Sequence, residues 1–186
     1  MPGPKYPGLS RDELKALIRT VPDFPSHGIQ FRDITTLLAH GEGLAASIDH
    51  LVEIAADLGA DKVAGIEARG FIFGTALALR LGVGFVPLRK AGKLPVETIG
   101  EDYALEYGSA RLELDPSIVD DNAHVLVVDD LLATGGTAIA ATNLLRRAGA
   151  RVEHALFVVD LPELPGGKAL AEAGITPHAL VEFAGH

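Results

Sequence analysis

VLVVDDLLATGGT, residues 125–137, sets four apolar residues before two adjacent aspartates, then a short apolar step, then Thr-Gly-Gly-Thr. The apolar run from Ala123 to Val128 predicts a buried strand, and Thr137 to Ala148 predicts a helix that closes at Gly149. The segment between them is then a strand-to-helix loop. In such a loop the backbone N–H groups from Ala133 to Thr137 can converge on an anion, helped by the positive end of the following helix. Glycine at 135 and 136 lets anionic oxygens approach the backbone closely, and the hydroxyls of Thr134 and Thr137 add donors. Asp129 and Asp130 would repel an anion that touched them. They suit a different part of the same ligand, such as sugar hydroxyls or a magnesium-bound group. The loop lacks the Gly-Lys-Ser/Thr of a Walker motif and the spaced glycines of a dinucleotide fingerprint. The plainer alternative is an ordinary turn with two solvated acids.

The same alternation extends outward from this stretch. Upstream, Lys62 to Ile66 reads as a strand, Phe71 to Leu81 as a helix and Gly84 to Leu88 as a strand; downstream, Val152 to Val159 reads as another strand. A helix over roughly Glu42 to Leu58 closes at Gly59. Nearer the N-terminus, Ser10-Arg11-Asp12-Glu13 is a capping-box pattern, and Leu14, Leu17, Ile18 and Val21 follow at helical spacing until the prolines of PDFP. Strands alternating with helices predict an α/β fold whose mainly parallel sheet is flanked by helices, with ligands bound at the carboxyl ends of the strands. Residues 90–122 stand outside that rhythm. Within them YALEY and ARLEL alternate in strand fashion across Gly108-Ser109, a hairpin turn. The alternation sets Tyr103, Leu105 and Tyr107 on one side and Ala104 and Glu106 on the other.

Composition removes several classes. The chain has 186 residues, enough for one domain with a substantial core. It has no cysteine, which excludes disulfides and thiolate chemistry and fits a reducing compartment. A net charge of −9 without a lysine or arginine block argues against a nucleic-acid partner. The first ten residues lack the apolar stretch of a signal peptide, and no apolar run is long enough to span a bilayer, so a cytoplasmic protein without membrane contact is expected. The seven histidines are scattered and show no zinc-ligand spacing, so they read as surface or core residues.

VLVVDDLLATGGT resembles the phosphoribosyl-diphosphate (PRPP) motif of type I phosphoribosyltransferases. Four further blocks, PDFPSHGIQFRDITTLL (22–38), EARGFIFG (67–74), RKAGKLP (89–95) and YALEYGSARLEL (103–114), resemble the adenine-specific branch of that family, in its order. The resemblance implies one phosphoribosyltransferase domain, with an N-terminal hood to about residue 36 and a flexible catalytic loop over about 91–112. It implies that Ala133, Thr134, Gly135, Gly136 and Thr137 bind the 5′-phosphate and that Asp129 and Asp130 hold the ribose hydroxyls. It assigns diphosphate to Glu67, Ala68 and Arg69, with a cis peptide joining Glu67 to Ala68, and to the cationic cluster of Arg89, Lys90 and Lys93. It makes Ile29, Gln30, Phe31 and Arg32 the adenine-binding segment, Phe31 by packing and the others chiefly through backbone groups. It makes Glu106 the acid or base at the purine. Magnesium is implied as a companion of PRPP with no direct protein ligand, and a homodimer as the assembly. From Leu161 onward nothing is carried over; PELPGG reads as a turn and the tail as sheet edge or dimer surface. A transferase for another purine such as xanthine, and a PRPP-sensing module without catalysis, remain the alternatives.

Overall fold

The computed structural model describes residues 8–104 and 109–185. Glu106, with Leu105, Tyr107 and Gly108, lies outside the described residues.

Seven strands form the main sheet in the order β5-β6-β4-β3-β7-β8-β9. Its parallel part comprises β3 (Lys62–Ile66), β4 (Gly84–Lys90), β7 (Val125–Leu132), β8 (His154–Asp160) and β9 (Thr176–Glu182). The hairpin β5 (Ile99–Ala104) and β6 (Ser109–Leu114) adds antiparallel to the β4 edge. The predicted mainly parallel α/β sheet is present. Its alternation of strand and helix follows from apolar runs too long for a half-solvated strand, which must be covered on both faces.

Two cores result, one on each side of the sheet. On one face α3 (Gly41–Ala55) and α4 (Arg69–Leu81) bury Leu51, Phe73 and Leu77 with α1 (Arg11–Leu17). On the other, α5 (Gly136–Arg147) and α6 (Gly166–Glu172) bury Leu144, Leu145 and Leu170. Chain order reverses direction at β3, whose neighbours are β4 on one side and β7 on the other. Such a switch point leaves a crevice beyond the carboxyl ends of the two central strands, where a ligand can enter.

Two sequence expectations need correction. The Ser10 capping box forms, with the Ser10 N–H donating to Glu13 at 2.8 Å, but its helix ends at Leu17. Ile18 is extended, and Val21 lies in β1 (Arg19–Pro22), which pairs antiparallel with β2 (Gln30–Asp33) in a separate two-stranded sheet. The i, i+3, i+4 spacing of Leu14, Leu17 and Ile18 continues into Val21 by coincidence, because the strand partner Phe31 decides that residue's state. The ladder is pinned by Asp33, which accepts from Arg19 and from the Thr35 N–H at 2.9 Å and hydroxyl at 2.7 Å. Those donors, Thr35's hydroxyl foremost and then Arg19, hold the Asp33 carboxyl down at about 2. A short helix α2 (Thr35–Ala39) follows, which the sequence reading did not separate from its surroundings.

The second correction concerns β7. The strand does not stop at Val128 but runs through both aspartates to Leu132. Its partner stops instead. The β3 register ends at Gly65 opposite Val128, whereas the β8 register continues past Asp129 and Leu131. Asp129 and Asp130 therefore sit on a strand paired on one side only, beside the turn that leaves β3. That turn holds a cis peptide between Glu67 and Ala68, as the resemblance implies, and opens α4.

Gly70 makes this crossing possible. A Cβ there would meet the Val128 carbonyl oxygen at 2.5 Å and the Asp129 Cα at 3.2 Å, both parts of a rigid strand. Gly70→Ala is expected to cost about 1–3 kcal/mol through overpacking. A denaturant titration of the two proteins checks it; an unchanged midpoint would show that α4 shifts freely on the sheet.

Candidate functional site

Beyond Leu132 the chain turns through Ala133 and Thr134 to Gly135, whose φ of 82° is a left-handed conformation that favours glycine. Gly135 is also the N-cap of α5, and no side chain among the described residues caps the helix. The first N–H groups of α5 are thus left to a ligand or water. A pocket of about 210 Å³ opens over this turn, lined by Asp129, Asp130 and every residue from Leu131 to Ala138.

The loop is braced from behind. The Gly166 N–H donates to the Ala133 carbonyl at 3.0 Å and the Leu161 N–H to the Leu132 carbonyl at 3.1 Å. A Cβ on Gly166 would collide with the Ala133 carbonyl, so the close approach needs glycine. PELPGG is therefore a turn, as read, and also the buttress of the anion loop. The only sequence signal for that role was a second glycine pair following a strand.

The two aspartates differ. Asp130 is buried, its side chain only 5 % exposed, and its Oδ2 accepts from Arg69 Nε at 2.5 Å. Asp129 is partly exposed and turns its Oδ1 back onto the Asp130 N–H at 2.9 Å. Withdrawal from water, and then the negative charge of Asp130, push the Asp129 carboxyl well above the ordinary carboxylate range. Burial works against charge on Arg69, but the Asp130 carboxylate outweighs it and holds the guanidinium more firmly protonated. The expectation that both acids face ligand or solvent holds for Asp129; Asp130 is met first by Arg69.

Around the β3–α4 turn, Glu67 accepts from Arg89 Nε at 2.9 Å and from the Lys90 N–H at 2.8 Å. Burial alone would raise the Glu67 carboxyl, yet these donors leave it below its usual value. Glu67, Ala68, Arg69, Arg89 and Lys90 are thus one neighbourhood. Lys93 is exposed in the segment after β4 and makes no hydrogen bond among the described residues.

A second pocket, about 220 Å³ and largely apolar, joins the two-stranded sheet to the loop. Ile29, Gln30, Phe31 and Arg32 line one side; Arg69, Asp130, Leu131 and Ala133 line the other and belong to the anion pocket as well. Phe31 is fixed edge-on by Phe24, ring centroids 5.1 Å apart. The Arg32 side chain turns to the C-terminal segment, donating to the Ala184 carbonyl at 2.8 Å and lying over the Phe183 ring. Sequence reasoning missed Pro25, Leu131, Leu161 and Leu164, which complete the apolar walls. Nothing in a lone leucine near a turn marks it as a wall; only the fold brings these together.

An anion loop and an apolar slot that share residues fit a ligand with a phosphate at one end and a flat, weakly polar group at the other. The comparisons agree with that geometry. Residues 30–167 match the model of the phosphoribosyl transferase domain. The chain is 65 % identical to an adenine phosphoribosyltransferase of Novosphingobium aromaticivorans over 96 % of its own length and all of the relative's.

The chain belongs to the adenine phosphoribosyltransferase family.

Among solved structures, the adenine phosphoribosyltransferase of Thermoanaerobacter pseudethanolicus superposes with a TM-score of 0.89 at 44 % identity, over 94 % of this chain and 100 % of that one. The Saccharomyces cerevisiae enzyme, complexed with an imino-altritol bisphosphate and adenine, gives 0.85 at 39 % identity, over 92 % and 98 %. Membership in this family makes the unequal environments of the two aspartates a point to test. Asp129→Asn removes a charge that the free fold resists. Because the folded carboxyl titrates higher than the unfolded one, its destabilising effect is absent below about pH 4 and grows as pH rises. The variant is therefore expected to melt at or above the parent near neutral pH while losing turnover. Asp130→Asn breaks the pair with Arg69 and is expected to lose about 1–3 kcal/mol. Thermal melts at pH 4 and pH 7.5, read beside turnover, check both. Equal melting of the two variants would contradict the asymmetry.

Proposed function

We infer that this chain is a purine salvage enzyme, an adenine phosphoribosyltransferase, converting adenine and PRPP to AMP and diphosphate. The observation that carries the reading is the shared wall: Arg69, Asp130, Leu131 and Ala133 line both the anion pocket and the apolar slot. One molecule can thus run from the helix N-terminus to the hood.

In this reading Ala133 to Thr137 hold the 5′-phosphate by backbone N–H groups and the threonine hydroxyls. Asp129 and Asp130 take the ribose hydroxyls. Arg69 commits only Nε to Asp130, so its terminal N–H groups remain for a diphosphate oxygen. Arg89 is engaged through Nε in the same way by Glu67, and Lys90 and Lys93 add positive charge where the diphosphate departs. PRPP arrives as its magnesium complex, the ion being part of the substrate.

The C1–oxygen bond to diphosphate breaks with its electron pair leaving on the diphosphate. The in-plane N9 lone pair of the N7–H tautomer of adenine forms the new C1–N bond from the opposite face, with inversion, and the N7 proton passes to the proposed base, the Glu106 carboxylate. Positive charge grows on the ribose ring as the first bond lengthens, and the Asp129–Asp130 pair lies where it can stabilise that charge. The rest is positioning: loop and hood hold the reactants in line. Closure of segment 91–112 would exclude water that could otherwise capture the ribosyl cation.

The assembly we favour is a homodimer in the cytoplasm. Ile72 and Leu79, seven positions apart on α4, are exposed and give that helix an outward apolar stripe suited to a second copy. No described helix is long and apolar enough to cross a membrane.

Base choice tests the proposal directly. A 6-amino group donates where a 6-oxo group accepts, and each mismatched buried partner costs about 1–3 kcal/mol. Adenine is expected to outcompete hypoxanthine, guanine and xanthine in parallel nucleotide-formation assays with PRPP. Comparable turnover of hypoxanthine would defeat the assignment, and PRPP binding without turnover of any base would favour a sensing module.

Glu106 is the proposed acid or base at the purine, donating to N7 when protonated or accepting from an N7–H tautomer when ionised. Glu106→Leu is expected to lower kcat by roughly 10²–10⁴-fold, with Glu106→Gln milder because it keeps a donor. PRPP affinity, measured separately, should change far less. A near-parental kcat in Glu106→Leu would make this residue an ordinary solvated carboxylate.

A further inference from the structure

The histidines that look scattered in the sequence converge in the fold. His124 immediately precedes β7, His154 opens β8 and His178 is the third residue of β9. Because these strands are parallel and adjacent, all three rings lie toward the amino ends of the strands, away from the anion loop. His124 and His154 have ring centroids 6.0 Å apart, and His154 and His178 are 5.2 Å apart. Glu153 extends from the residue before β8, so that one ligating atom each of His124, Glu153 and His154 lies within 4.8 Å of the others.

His124 is the informative member. Its ring is buried, with 5 % of the residue exposed, and Nδ1 lies 3.2 Å from the Gly59 carbonyl oxygen. A carbonyl can only accept, so Nδ1 carries the proton and a neutral ring presents a bare lone pair at Nε2. That Nε2 is buried, has no hydrogen-bond partner among the described residues, and faces Glu153 Oε2 at 3.6 Å. A ring nitrogen and a carboxylate oxygen facing each other call for a cation, and the 3.6 Å gap is too long for a proton hydrogen-bonded between them but suits a metal ion. Two donors each about 2.0–2.2 Å from a tetrahedral zinc ion stand roughly 3.3–3.6 Å apart, which is the spacing seen. The contact from Nδ1 to a backbone carbonyl is also the outer-shell arrangement by which metal-bound histidines are oriented.

We propose that His124, Glu153 and His154 form a site for one divalent ion of the zinc class, joining the amino ends of β7 and β8 at the far end of the sheet from the anion loop. Two imidazoles, borderline donors, beside one hard carboxylate suit zinc, cobalt or nickel rather than magnesium, and three protein ligands leave the fourth position to water. His178, whose Nε2 is 3.1 Å from His154 Nδ1, acts outside the ligand set by fixing the His154 ring. The ion ties together two neighbouring strands and satisfies a buried nitrogen.

Cobalt(II) is the probe, since its visible absorption reports tetrahedral nitrogen and oxygen ligation. The full-length protein, treated with a chelator and dialysed, is expected to bind one cobalt ion per chain, to release it to zinc but not to magnesium, and to melt at a higher temperature with zinc. Glu153 is on the surface, so Glu153→Gln keeps the fold and is expected to weaken cobalt binding at least tenfold. His154→Gln should abolish the tetrahedral spectrum. His178→Phe, an outer-shell change, should weaken binding by roughly 10–100-fold without changing the stoichiometry. Circular dichroism of each variant without metal establishes that it is folded. No saturable binding by the parent, or affinity unchanged in Glu153→Gln or His154→Gln, overturns the site.

Discussion

A carboxylate buried at the side of a second acid on a strand calls for a counter-charge, and much of the site's construction answers that constraint at Asp130. β7 carries Asp129 and Asp130 past the point where β3 stops, so one flank of the strand is open. Arg69 fills part of that opening and neutralises Asp130. It can do so because α4 begins immediately after the β3 turn, and α4 can begin there because Gly70 has no side chain to strike Val128. Asp129 pairs with no cation among the described residues, and its withdrawal from water, then the charge of Asp130, make its carboxyl reluctant to ionise. A group that remains uncomfortable in the free protein can gain from a ligand bearing positive charge, whether a metal-bound substrate or a ribose ring developing a cation. The destabilised acid and the proposed chemistry are two sides of the same arrangement.

The architecture was largely legible because apolar runs and glycine stops mark the central strands and helices well. β3, α4, β4, β7 and α5 all fall where the pattern places them, within a few residues. The misread end of β7 has a physical cause. Hydropathy falls at Asp129, but a strand persists as long as one neighbour supplies hydrogen bonds, and β8 does so to Leu132. Val21 was misread for a related reason: over one turn, helical spacing is satisfied by chance, whereas pairing with Phe31 is a long-range fact. The anion loop was readable from its glycines, the adenine-side segment only through family resemblance. The leucines that close the apolar slot, and the histidines that meet across three strands, were legible in neither way. Their proximity comes from strand register, which adjacent residues do not encode.

A chain with a net charge of −9 must nevertheless receive a polyanionic substrate in the proposed reaction. The conflict is smaller than the total suggests, because at physiological ionic strength charges beyond roughly 8 Å are largely screened where they face solvent. What matters is the local field. At the carboxyl ends of β3 and β7 that field is built from uncapped N–H groups at the start of α5, the guanidinium of Arg69, and Arg89 and Lys90 around Glu67. Arg69 and Arg89 are each tied through Nε to an acid and keep their terminal donors uncommitted among the described residues, whereas Lys90 meets Glu67 only through its backbone N–H. In the proposed reaction such a site would bind anions through oriented donors rather than through net positive charge.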